Sequence, residues 1–84
     1  MTLHFTPTLS TREFPGYYWR EEWCERRTLV TDGFTDFWIH GDTAGSGLYI
    51  FLHGTMLDLP DGVTDHAGAV VWCESQFVRK AVRV

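Results

Sequence analysis

Apolar positions in this chain come as short runs cut by turn-forming residues, not as long helical stripes. The breaks fall at Pro15-Gly16, Asp32-Gly33, Gly41 to Gly47, Pro60-Asp61-Gly62 and Gly68, and such close punctuation favours strands. Leu3 to Phe5 is the first strand candidate. Ser10 to Glu13 has the spacing of a helix capping box, but Pro15 leaves room for no more than one helical turn. From Tyr17 to Val30 two periods compete. Trp19 with Trp23 and Glu22 with Arg26 suit helical i,i+4 spacing, yet Tyr17, Trp19 and Trp23 also share one face of a strand, and the strand is the reading we adopt. As one strand, Tyr18, Arg20, Glu22, Cys24 and Arg26 line one face, and Tyr17, Trp19, Glu21, Trp23 and Glu25 the other.

Leu29 to His40 reads as a hairpin about Asp32-Gly33. Leu48 to Leu52 is apolar throughout and about one strand long, which predicts burial on both faces. Ala69 to Cys73 is a further apolar strand candidate. In the tail from Glu74, apolar residues at 77, 78, 81 and 82 fit a helix, whereas Val78, Val82 and Val84 alternate as in a strand. A tight turn at Ser75 to Val78 followed by a closing strand is the expectation. These elements predict a mainly β protein: a small single-domain barrel or strongly twisted antiparallel sheet of five to six short strands, with residues 1-84 in one compact domain. The alternative is an α+β fold with one helix near residues 17-27 lying on the sheet.

With 84 residues the core must be thin, and an aromatic content of 15% is the way to make it dense. Six of the seven basic residues are arginine and asparagine is absent, which fits a GC-rich genome. The N-terminal residues lack the basic and apolar runs of a secretory signal, and no stretch has the roughly 20 apolar residues that span a bilayer. A cytoplasmic, membrane-free protein is therefore expected, with Cys24 and Cys73 reduced and buried.

Catalytic signals are weak. Ser10, Ser46 and Ser75 stand in no nucleophile elbow, and the glycines at 41 to 47 lack the Gly-Lys-Ser/Thr of a phosphate loop. His4, Cys24, His40, His53, His66 and Cys73 have no paired zinc spacing. Asp58, Asp61 and Asp65 lack the ligand pattern of a calcium loop and suit turn chemistry. The expectation is a non-enzymatic protein with no cofactor and no metal. A net charge of −4, with acids set between Arg20, Arg26 and Arg27, opposes nucleic-acid binding.

What stands out is the density of rings at Tyr17, Tyr18, Trp19 and Trp23, more than a thin core hides. Trp, Tyr and Arg are the residues most enriched at interface hot spots. A patch of Tyr18, Arg20, Trp23 and Arg26, rimmed by Glu21, Glu22 and Glu25, is thus the expected surface for a protein partner or a second copy. By size and composition such a module suits an accessory protein of a phage or mobile element that joins or inhibits a larger host complex. The alternatives are a metal- or small-ligand-binding domain and a single-stranded nucleic-acid binder.

Overall fold

The computed structural model describes residues 9–19, 21–24 and 26–82, so the strand expected at Leu3 to Phe5 lies outside the described residues. Seven strands and one α-helix follow in order: β1 (Ser10–Phe14), β2 (Tyr17–Trp19), β3 (Glu22–Cys24), β4 (Arg27–Thr31), β5 (Asp36–His40), β6 (Tyr49–Leu52), β7 (Thr55–Leu57) and α1 (His66–Val82). A short 3-10 turn at Ala44–Ser46 lies between β5 and β6. Five strands make one antiparallel sheet in the order β1-β4-β5-β6-β7, and β2 and β3 pair as a separate hairpin. The protein is mainly β, and among the described residues the sheet ends at β1 and β7 instead of closing into a barrel.

Local chemistry sets the turns. Between β4 and β5 the Asp32 carboxylate accepts hydrogen bonds from the Phe34 and Thr35 amides at 2.9 and 2.8 Å, an Asx-type turn that aligns Leu29 with Trp38 and Val30 with Phe37. Between β6 and β7, His53 and Gly54 both have positive φ, 47° and 83°, the two-residue geometry whose twist matches that of paired strands. Ser10 to Glu13 is an edge strand and not a helical turn. All five residues of β1 pair with β4, from Ser10 opposite Thr31 to Phe14 opposite Arg27, and that ladder outweighs the local capping pattern.

Strand alternation sorts the sheet into two faces. Thr28, Val30, Phe37, Ile39 and Ile50 are buried, and α1 packs across β4 and β5. Val30, Ile39 and Ile50 are wholly inaccessible, each contributing about 1.5–3 kcal/mol by burial. Phe37 meets Trp72 and Phe77 edge-on at 5.8 and 5.6 Å. Leu48 to Leu52 is not buried on both faces as its composition suggested, because Ile50 is inaccessible while Tyr49 is 37% exposed.

The main departure from expectation is α1. Ala69 to Cys73 is not a strand, and Ser75 to Val78 is neither a turn nor the start of a closing strand; both lie inside one helix of 17 residues. Ala69, Cys73 and Phe77 face the core at four-residue spacing, while Val71 is 65% exposed. A strand would have put 69, 71 and 73 on one side. The helix begins where the Asp65 carboxylate accepts the Gly68 amide at 2.7 Å, an N-cap interaction. Among the described residues of 17-27 the helix proposed as an alternative does not form; β2 and β3 lie there, with a reversal that includes Glu21 at φ 66°.

Candidate functional site

The β2–β3 hairpin brings together two of the residues singled out in the sequence. Its register sets Tyr18 opposite Trp23 and Tyr17 opposite Cys24, so Tyr18 and Trp23 share a face because the chain turns between them. A single continuous strand had put them on opposite faces. Their rings meet edge-on, 5.3 Å between centroids, yet Tyr18 is 73% and Trp23 59% exposed. Trp23 is also seated on the backbone: a Cβ built on Gly16 would lie 2.3 Å from Trp23 Cζ2 and 2.7 Å from Cη2. Only glycine permits that approach. Nothing in the sequence marked Gly16 for this role beyond its place in a turn.

The opposite side of the hairpin is anchored. Tyr17 stands edge-on to His40 at 5.0 Å, and the Arg27 guanidinium lies 5.0 Å from the Tyr17 ring, 5.4 Å from Phe14 and 5.3 Å from Trp38. Cation–π contacts of this kind contribute about 0.5–2 kcal/mol each, depending on desolvation. Burial pushes the Tyr17 hydroxyl above its usual range, and the Cys24 charge adds to the rise. Burial lowers His40 to about 4, helped by the Arg27 and His66 charges, so its ring packs as a neutral aromatic at pH 7. The anchored side fixes the hairpin on the sheet and leaves the Tyr18–Trp23 pair facing outward.

Of the other residues expected in the patch, Glu22 is exposed at the start of β3 and Glu21 is exposed in the turn. Arg20 and Glu25 lie outside the described residues. Arg26 is engaged elsewhere: its Nη1 is 3.6 Å from Glu13 and its Nε is 3.3 Å from Asp42. It stands at a groove of about 480 Å³ lined by β1 (Thr11, Glu13), by Arg26 and Thr28, and by the first turns of α1 (His66, Ala67, Val70, Val71).

At that groove Thr28 Oγ1 and His66 Nε2 are 2.6 Å apart, and His66 Nδ1 is 2.7 Å from the Gly41 carbonyl oxygen. A carbonyl only accepts, so Nδ1 carries the proton; in the neutral ring Nε2 then accepts from the Thr28 hydroxyl. Both residues are 2% exposed. The pair satisfies two buried polar groups and ties the start of α1 to β4. Neither partner was singled out for this contact, because 38 positions separate them.

Among the described residues no group of three or more His, Cys, Asp or Glu side chains could hold a metal ion. His53 is exposed in the β6–β7 turn. No helix among the described residues is long and apolar enough to cross a membrane. No family model, curated protein or solved structure matches this chain.

Proposed function

We propose that this protein is a non-enzymatic protein-binding module that docks its partner through the outward face of the β2–β3 hairpin. The observation that carries the reading is Trp23, a large ring 59% exposed yet held against Gly16 and Tyr18. A free surface tryptophan loses rotamer freedom on binding, whereas a pre-positioned one brings its area to an interface at little entropic cost. Glu21 and Glu22 beside it, in a chain of net charge −4, fit an apolar pocket with a basic rim on the partner. Free Cys24 and Cys73 suit work in a reducing cytoplasm. Size and composition suit an accessory subunit or an inhibitor of a larger host complex, of the kind that phages and mobile elements encode.

The test is capture from native cells with wild-type bait, with Tyr18→Ala/Trp23→Ala, and with Phe34→Ala. Phe34 is 64% exposed in the β4–β5 loop and serves as an equally apolar control. A stoichiometric protein retained by wild type and Phe34→Ala but lost from the double variant supports the reading. A complex indifferent to the double variant overturns it.

A further inference from the structure

The sheet face opposite α1 carries its side chains in cross-strand rows. Register sets Arg12, Leu29, Trp38, Phe51 and Met56 in one row from β1 to β7, and Phe14, Arg27, His40 and Tyr49 in the next. The hairpin is seated on the second row, where Tyr17 meets Arg27 and His40. In the first row Leu29 and Trp38 are half-buried and Met56 is 58% exposed. Because Tyr17 faces the sheet, strand alternation turns Tyr18 and Trp23 away from it. The exposed rings therefore cannot reach the sheet face of their own chain.

Charge divides between these two surfaces. Arg12, at the β1 end of the first row, is exposed and lies 5.0 Å from the Phe14 ring. Among the described residues neither Arg12 nor Arg27 is within ion-pair reach of a carboxylate, since the ion pairs there belong to Arg26. The acid on this face is Asp36, whose carboxylate accepts from the Thr31 hydroxyl, so the described face is locally basic in a chain of net charge −4. The hairpin is the reverse: Glu21 and Glu22 are exposed beside Trp23, and no described cation pairs with them. An apolar surface with a basic border is what the hairpin requires of a partner, and this chain presents one. A two-fold axis would use both contacts in each copy and close the assembly at two.

We propose that the partner of the Tyr18–Trp23 surface is a second copy of this chain, the hairpin of each copy lying on the Leu29–Trp38–Met56 row of the other with Glu21 and Glu22 facing Arg12. The inference rests on the reading of the hairpin as a docking surface and names what docks there.

The experiment is sedimentation equilibrium of the full chain from about 10 μM to about 1 mM. Wild type should pass from the mass of one chain to that of two, and Trp23→Ala and Met56→Glu should each weaken association at least about tenfold. Arg12→Glu alone sets like charges against each other at both contacts, as does Glu21→Lys/Glu22→Lys alone, and each should associate more weakly than wild type. Their equimolar mixture sets opposite charges together at both contacts and should regain wild-type association. The substituted positions are exposed, and amide spectra unchanged away from them verify the fold. Wild type of single-chain mass at the highest concentration overturns the proposal, as does a dimer equally tight in Trp23→Ala or a mixture that associates no better than its components. A monomeric wild type whose capture from cells still depends on Tyr18 and Trp23 removes the second copy and leaves the hairpin reading standing; capture that is indifferent to both rings removes that reading as well.

Discussion

The indole of Trp23 rests on the backbone of Gly16, so closely that a single added methyl would lie 2.3 Å from its Cζ2 atom. That contact decides how an exposed ring keeps one orientation. The added methyl would also lie 2.9 Å from the Cys24 carbonyl oxygen, so relief requires the hairpin backbone to shift along with the indole. Gly16→Ala should therefore release Trp23 while leaving the five-stranded sheet intact. With ¹⁹F-labelled tryptophan, the Trp23 resonance should shift or broaden while the Trp38 and Trp72 resonances stay in place. An unchanged Trp23 resonance would mean that Gly16 does not position it.

The Thr28–His66 contact makes a separate prediction about stability. Thr28→Val keeps the shape but leaves His66 Nε2 buried without its donor, at a cost of about 1–3 kcal/mol. Paired with His66→Phe in a double-mutant cycle, the double variant should lose less than the sum of the single variants. Urea denaturation of the four proteins measures it, and strict additivity would contradict a direct bond.

Acid should weaken the fold through His40. Its folded value of about 4 lies below the ordinary 6.5, so between these values the unfolded chain binds a proton that the native ring refuses. Stability is undiminished above pH 6.5 and is lost as pH falls toward 4, on the order of 3 kcal/mol in all. His40→Phe should flatten the fall in melting temperature across that window. An equally steep fall in the variant would assign the acid sensitivity to other groups.

The two thiols should differ in reactivity. Cys73 is inaccessible in the core and burial, aided by the Glu74 charge, raises it to about 12, whereas Cys24 is half-buried in β3. Thiolate is the reactive form. Iodoacetamide at neutral pH should label Cys24 in the native protein and Cys73 only after denaturation. Native labelling of Cys73 would contradict its place in the core.

Strand content was legible because Asp32-Gly33 and the residues around Pro15-Gly16 punctuate it, and the Leu29 to His40 hairpin appears as the sequence suggests, with its strands at Arg27–Thr31 and Asp36–His40. The helix was not legible. Val70, Val71 and the valines of the tail have the branched side chains of strands, and the core stripe of Ala69, Cys73 and Phe77 carries one small residue and one thiol among its three. Intrinsic preference pointed one way there, and tertiary packing against β4 and β5 decided the other. The exposed pairing of Tyr18 with Trp23 was half legible. Their ring types marked them, but their shared face depends on a reversal at Glu21, a residue without the usual signature of a left-handed turn. Arg26 illustrates the remaining limit: sequence proximity grouped it with the hairpin, while its ion-pair partners come from β1 and from the loop after β5.

The most direct test of the docking surface is site-specific photo-crosslinking in native cells, with benzoylphenylalanine placed at Tyr18 in one protein and at Phe34 in another. The account predicts one discrete protein adduct from position 18, lost when Trp23→Ala is added, and none of that mass from position 34. The same adduct from both positions, or an adduct from position 18 that survives Trp23→Ala, would contradict it.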